Sequence, residues 1–209
     1  MEDSKKLLIV AIIALVVSML SAWVSYLSVS TLSSKISGFA SNTGEANLTV
    51  ESSAAVNFTT DFIDWGSGQV DVGQTYAQLT TLETNNVTNG NWTLQTAGGL
   101  RIENIGNVNV SLNLSVGKTA AQFIGGTNPG YQWNVTAVEA NACLNSTGGT
   151  GGLQLGTFID TTTSQTEFCP IFQFVNTADE VRIDLNITVP YNAPPGAKTD
   201  TITATVTVV

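Results

Sequence analysis

The sequence predicts a mainly β protein, in which an N-terminal transmembrane helix precedes an antiparallel β-sandwich. The first observation is an unbroken apolar run over residues 7–27 that contains no charged residue, glycine or proline. Such a run is long enough to cross a bilayer as a helix. The second observation is that apolar and polar residues alternate in several segments after residue 46. A period of two places one face of a strand on a core and the other face in water.

The composition argues against several kinds of chemistry. The 209-residue chain has no histidine, two cysteines, and 16 acidic against 7 basic residues, with a formal charge of −9. Without histidine, neither a Ser-His-Asp nor a Cys-His nucleophile can form, and two cysteines cannot make a four-ligand zinc site. A strongly negative chain also lacks the cations that neutralise nucleic-acid phosphates. We therefore expect no enzymatic activity, no cofactor and no nucleic-acid partner.

The N-terminal region is predicted to be a single-pass membrane anchor. Lys5 and Lys6 precede the apolar run, whereas Trp23 and Tyr26 lie near its far end, where aromatic rings favour the headgroup region. The predicted segments are a cytoplasmic stub (1–6), a transmembrane helix (7–27), a helical extension and linker (28–45) and an exported β-sandwich domain (46–209). The C-terminal domain is thus expected at the cell surface. The alternative is a cleaved secretory signal, which would export the same domain.

The helical pattern continues beyond the apolar run. One face carries small residues inside the run and larger apolar residues after it, namely Ser18, Ala22, Ser25, Val29, Leu32, Ile36 and Phe39. Small residues spaced by four allow helices to approach closely in lipid, and apolar residues spaced by three and four are typical of paired helices in water. We predict that this helix-assembly face makes a homo-oligomer. The alternative is that its outer half packs on the chain's own domain.

The exported region is predicted to form many short strands. Strict alternation predicts long strands over 108–116, 181–189 and 202–208, and shorter candidates are 48–58, 92–94, 100–102, 131–138 and 171–175. The proline-rich loop 190–196 is predicted to join the last two long strands as a terminal hairpin. Strands separated by turn residues, with no helical pattern between them, are typical of an antiparallel sandwich.

Two further sets of side chains have both a structural and a functional interpretation. The aromatic residues Trp65, Trp92, Trp133 and Tyr131 are core candidates, or else a platform for a sugar or a partner. Trp133 is in phase with Tyr131 and Val135, which favours the core. The acids Asp61, Asp64 and Asp71 surround a Gly-rich turn and could offer oxygen ligands to Ca²⁺, but they lack the EF-hand order. We interpret them as solvated turn residues and expect no metal site.

The two cysteines, Cys143 and Cys169, enclose a Gly- and Thr-rich stretch. On the exported side of a membrane, a disulfide is the default state of such a pair. We therefore predict a disulfide that ties this stretch to the sandwich. Two free thiols are the alternative.

The sequence contains nine N-x-S/T sequons, which are N-glycosylation signals in an exported protein. They are at Asn47, Asn57, Asn86, Asn91, Asn109, Asn113, Asn134, Asn145 and Asn186. Asn109, Asn113 and Asn186 fall on the predicted polar faces of strands. We predict that several sequons carry glycans. The alternative is a polar β-surface that carries none.

Residues 100–114 carry an N-x-G-N turn that leads into an alternating strand, and this arrangement resembles the Ig-like sandwiches of prokaryotic surface proteins. The stretch 187–196 followed by 201–209 is similar to the closing hairpin of that group. The whole layout, including residues 61–68, resembles small membrane-anchored archaeal surface proteins, especially those of minimal-genome lineages. More loosely, an apolar helix followed by a sandwich resembles archaellins and archaeal type IV pilins. The resemblance implies an Ig-like fold and a surface location.

These observations lead us to expect a membrane-anchored structural protein of the cell surface that self-assembles into a filament or a layer. Its expected partners are the membrane, other copies of the chain, and other surface proteins or glycans. The alternative is an adhesin or binding module in which loops, such as that over residues 148–166, contact a carbohydrate or another cell.

Overall fold

The computed structural model describes residues 2–36, 48–82, 86–96, 98–150 and 157–209. The chain forms two compact units, residues 1–49 and residues 50–209. The first unit contains helix α1 (Glu2–Ile36), so the helical pattern does continue past the apolar run. The second unit contains antiparallel strands and a short helix, α2 (Ala120–Phe123). The predicted fold class, a mainly β domain after one long apolar helix, is confirmed.

The described strands are, in chain order, β1 (Val56–Thr60), β2 (Tyr76–Thr80), β3 (Val87–Thr88), β4 (Leu100–Asn104), β5 (Val110–Val116), β6 (Gly130–Ala137), β7 (Cys143–Leu144), β8 (Ile159–Asp160), β9 (Thr166–Phe172), β10 (Glu180–Pro190) and β11 (Ile202–Val208). The predicted long strands therefore lie close to their expected positions. The expected strand over 92–94 is absent, because those described residues adopt irregular structure beside β3. Strand β2, which contributes Ala77 and Leu79 to the core, lies outside the segments that the alternation predicts as strands.

The larger sheet is built around β10. On one side β10 pairs with β6, which in turn pairs with β8. On its other side, the N-terminal half of β10 pairs with β4 and its C-terminal half pairs with β2. Strands β1 and β3 extend the sheet beyond β4 and β2. The smaller sheet has the order β11-β5-β9-β7.

The two sheets share one hydrophobic core. Trp133 on β6 and Phe168 on β9 contact each other edge to face, with ring centroids 4.9 Å apart. Trp133 and Val135 are fully buried and Tyr131 nearly so, which confirms that the alternation in β6 marks a core face. Asn104 links the sheets as well, because its Nδ2 donates to the Phe172 carbonyl at 3.1 Å.

The junction where β4 and β2 meet along β10 contains a buried charge. Asp184 is fully buried and accepts hydrogen bonds from Arg182 Nε at 2.8 Å and from Thr81 Oγ1 at 2.9 Å. Thr81 Oγ1 in turn accepts from the Leu185 N–H. Gly99 lacks a side chain here because a Cβ would lie 2.3 Å from the Ile183 carbonyl oxygen. These bonds supply the partners that a buried carboxylate requires.

Two expectations about β10 are wrong. Its alternation predicted a polar face in water, but Asp184 and Asn186 are buried among neighbouring strands. The predicted terminal hairpin does not form either, because β10 pairs with β2, β4 and β6 whereas β11 pairs with β5 in the other sheet. The loop after Pro190 therefore crosses between sheets. Both edges of β10 are already paired, with β6 on one side and with β4 and β2 on the other, so no edge is left for β11.

Candidate functional site

The apolar side chains that the structure describes on helix α1 are exposed. Its segment Asp3–Leu27 is long and apolar enough to cross a membrane, and all its described side chains are exposed. Of the predicted helix-assembly face, Ser18, Ala22 and Ser25 lie within this segment. Val29, Leu32 and Ile36 belong to the same helix, but their side chains are outside the described part of the chain, and Phe39 lies outside the described residues altogether.

The serines on α1 satisfy their hydroxyl groups within the helix. Ser18 Oγ donates to the Leu15 carbonyl at 2.9 Å, and Ser25 Oγ donates to the Ser21 carbonyl at 2.9 Å. Ser21 Oγ donates to the Ser18 carbonyl in the same way. Because these hydroxyls already have acceptors, they do not require a polar partner inside a bilayer. The small residues therefore offer close backbone approach rather than free hydrogen-bonding groups.

The described sequons differ in how accessible their amide groups are. Asn57, Asn86 and Asn91 are exposed, Asn109, Asn113 and Asn145 are half-buried, and Asn134 and Asn186 are buried, while Asn47 lies outside the described residues. Asn186 Nδ2 donates to Gln132 Oε1, and Asn145 Nδ2 donates to the Thr150 carbonyl. A glycan replaces one of the two hydrogens on this same nitrogen and needs space for a bulky group beside it. Accessibility therefore favours Asn57, Asn86 and Asn91, and glycosylation stays a prediction.

Cys143 and Cys169 form a disulfide, with Cα atoms 5.6 Å apart. Both cysteines are buried. The bond joins β7, a two-residue edge strand, to β9, which pairs with β5 in the middle of the smaller sheet. The predicted pair is therefore present, and it holds a short edge strand in place.

A cavity of about 1030 Å³ opens beside β2 and the C-terminal half of β10. Its wall combines core residues of the strands with segments 61–70 and 190–202. Seven aromatic residues line it: Phe58, Phe62, Trp65, Trp92, Phe123, Tyr131 and Tyr191. Trp65 and Trp92 are only half-buried. Trp133 lies inside the core, whereas Trp65 and Trp92 pack against the core and also line the cavity.

Trp92 is positioned by two glycines. A Cβ on Gly68 would lie 2.4 Å from Trp92 Cγ, and a Cβ on Gly90 would lie 2.7 Å from the far side of the same ring system. A Cβ on Gly90 would also lie 2.9 Å from the Ala77 Cβ on β2, so the indole and β2 both lie close to Gly90. Any side chain at Gly68 or Gly90 would displace the ring from the cavity wall.

The Asp200 carboxylate lies beside the Tyr131 hydroxyl in the wall of this cavity. Asp200 Oδ2 is buried, and the Asp200 carboxylate lies within hydrogen-bonding reach of the Tyr131 hydroxyl. Burial raises the pKa of the Tyr131 hydroxyl, and the neighbouring Asp200 carboxylate raises it further, so Tyr131 stays protonated. The cavity wall therefore combines aromatic surface with the neighbouring Tyr131 hydroxyl and Asp200 carboxylate. This cavity could not be predicted from the sequence, because its wall comes from segments that are distant in the chain and that no local pattern brings together.

A second group of acids surrounds Asp179, which is buried where β10 begins. Burial, the hydrogen bond and charge of Glu139 and the charge of Glu103 together raise the pKa of Asp179 to about 6, and burial is the largest of these causes. The Asp179 N–H also donates to Glu139 Oε2 at 2.8 Å. The pair formed by Asp179 and Glu139 therefore keeps a proton to a higher pH in the folded protein than in the unfolded chain.

Asp179→Asn should stabilise the domain at neutral pH. The folded carboxyl group binds its proton more tightly than the unfolded one, so its contribution to the free energy of unfolding falls as the pH rises from 3.8 to about 6. The amide of an asparagine can donate to Glu139 at any pH, whereas the carboxyl group of Asp179 must first be protonated. We expect a gain of roughly 1–2 kcal/mol at pH 7 that shrinks to near zero below pH 4. Urea unfolding at both pH values measures it, and an equal effect of Asp179→Asn at both would contradict the assignment.

No protein-family model, curated protein or solved structure matches this chain.

Proposed function

We propose that this chain is a membrane-anchored structural protein of the cell surface, whose exported sandwich assembles with further copies into a filament or a layer. The main support is the exposure of α1, because every described side chain of the segment Asp3–Leu27 is exposed. Exposed apolar surface on this scale is stable in lipid, not in water. The segment is therefore the anchor, and Lys5 and Lys6 keep the N-terminus on the cytoplasmic side.

The second unit supports an exported location. Its disulfide between Cys143 and Cys169 suits an oxidising compartment. Its three exposed sequons, at Asn57, Asn86 and Asn91, are accessible to a glycosyl transferase. Assembly then needs contacts between copies. The small-residue face of α1 supplies one in the membrane, and the sandwich supplies another outside it.

The proposal predicts a definite topology and cleavage pattern. Protease added to intact cells should remove the sandwich and leave a short N-terminal fragment in the membrane, because residues 7–27 remain protected by lipid. The measurement is mass spectrometry of the residual fragment. A mature N-terminus located after residue 22 would overturn the retained anchor.

Assembly is tested by two matched substitutions in α1. Ala22→Leu adds bulk to the helix-assembly face and should lower the yield of cross-linked oligomers, whereas Val24→Leu changes another face and should leave it unchanged. Both variants keep the segment apolar, so export is equal. Equal oligomer yields for Ala22→Leu and wild type would remove α1 from the assembly mechanism.

A second candidate function follows from the cavity. An adhesin or binding module would use the aromatic wall and the neighbouring Tyr131 and Asp200 side chains to hold a ligand with an apolar face and donor groups. Carbohydrates have both, because their C–H faces stack on aromatic rings and their hydroxyls donate to carboxylates. A purified full-length protein that stays monomeric and binds glycans, with loss of binding in Trp92→Ala, would favour this function over assembly.

A further inference from the structure

Strand β11 is an open edge of the smaller sheet. It pairs with β5 on one side, and no described residue pairs with its other side. The strand consists of Ile, Thr, Ala and Val alone, and no charged residue or proline occurs in residues 201–209. Long, uncharged edge strands present unpaired backbone groups that pair readily with another chain.

The backbone groups that face outward can be identified from the register. Gly117 N–H donates to the Thr201 carbonyl, and Val209 N–H donates to the Asn109 carbonyl. Because hydrogen-bonded pairs recur at every second residue of an antiparallel ladder, the odd-numbered residues of β11 bond to β5. The N–H and C=O groups of Ile202, Ala204, Val206 and Val208 therefore point toward the open edge.

The other described edges are shorter or obstructed. Strands β3, β7 and β8 have two residues each. The edge strand β1 has five residues, with a register shift between Phe58 and Thr60 that interrupts its ladder. It also carries the exposed sequon residue Asn57. Bulges and short lengths are the devices that keep edges from pairing, and β11 has neither.

We propose that β11 pairs antiparallel with β11 of a second copy, about a twofold axis at Thr205. This inference rests on the proposed function, because it names the contact through which the sandwiches assemble. All seven residues of β11 are paired in this register, with Thr203 opposite Thr207 and Ala204 opposite Val206. The four outward-facing residues of each strand exchange backbone hydrogen bonds across the edge. The two smaller sheets become one continuous sheet.

The side-chain pattern of β11 fits a second copy because it is symmetric about Thr205. Threonines occupy the outer face at 203, 205 and 207, so they meet threonines. On the core face, Val208, which is 51% exposed, lies opposite Ile202 of the second copy and is covered by it. The chain carries a formal charge of −9, yet β11 is neutral, so two copies meet there without opposed carboxylates. A twofold contact closes on itself, so a filament or layer needs the α1 contact as well.

Cysteine cross-linking in native membranes of the full-length protein tests the register. The two native cysteines are joined to each other, so an introduced cysteine supplies the only free thiol of the chain. Residues opposite each other in a non-hydrogen-bonded antiparallel pair have Cα atoms about 4.5 Å apart, within reach of a disulfide. Thr205→Cys should therefore form covalent dimers on mild oxidation.

The neighbouring threonines provide matched controls. Copies of Thr203→Cys lie about 13 Å apart in this register, because they are offset by four residues. Neither Thr203→Cys nor Thr207→Cys should dimerise alone, but their mixture should. Dimers from Thr203→Cys alone, at the yield of Thr205→Cys, would overturn the twofold register in favour of a parallel or non-specific contact.

A second measurement uses charge. Thr205→Lys places two ammonium groups opposite each other and should reduce dimer formation about fivefold, whereas Thr203→Lys faces a threonine and should have little effect. Both side chains are exposed, so both variants should fold. If Thr205→Cys gives no dimer while Ala22 variants still change oligomer yield, β11 pairing is overturned and the proposed function stands. If Thr205→Cys gives no dimer and the Ala22 variants leave the oligomer yield unchanged as well, the proposed function is also overturned.

Discussion

Replacing Trp133 with alanine should lower the free energy of unfolding by about 3–5 kcal/mol. The side chain is fully buried, and its ring contacts Phe168 on the opposite sheet at a centroid distance of 4.9 Å. Truncation removes this contact between the sheets and leaves a cavity that the surrounding strands cannot fill, because β6 is held by β10 over eight residues. Urea unfolding of the full-length protein in detergent, followed by circular dichroism, measures the loss.

Trp133→Phe is the matched control. The indole Nε1 is buried and has no hydrogen-bond partner among the described residues. Phenylalanine removes this unpaired donor and keeps a ring against Phe168, so the lost packing is partly offset. We expect a loss well below that of Trp133→Ala. Equal losses for the two variants would show that the energy resides in the indole as a whole rather than in the contact between sheets.

Removing the disulfide should cost about 3 kcal/mol. The bond closes a loop with a sequence separation of 26, and loops of this size restrict the unfolded chain by that order in the chain-entropy model. The variant is Cys143→Ala with Cys169→Ala, which avoids an unpaired thiol. Thermal unfolding under non-reducing conditions measures the loss.

The location of the effect is as informative as its size. Strand β7 has two residues and one ladder, with β9, whereas β11 pairs with β5 over its whole length. Hydrogen exchange in the cysteine-free variant should therefore accelerate most around Cys143 and Leu144 and least in β11. Uniform acceleration across both strands would mean that the disulfide stabilises the domain globally rather than by holding the edge.

Several features could be predicted because they depend on local pattern alone. The charge-free stretch over 7–27 determines a helix long enough for a membrane, since every apolar residue in it needs the same environment. The alternation in β5, β10 and β11 determines which residues share a face. With two cysteines in the chain, only one intramolecular pairing is possible. Trp133 belongs to the core because it shares a phase with Tyr131 and Val135, and all three are buried.

Tertiary structure alone decided which strands are neighbours. The period-two pattern of β11 is equally compatible with pairing to β10 or to β5, because both offer the same alternation. Only the folded chain places Thr205 opposite Asn113, far away in sequence. The burial of Asp184 depends on Thr81 and Arg182, and the aromatic cavity depends on segments 61–70 and 190–202 meeting. Local sequence determines the faces of strands, whereas the partners of their edges come from long-range contacts that no single segment encodes.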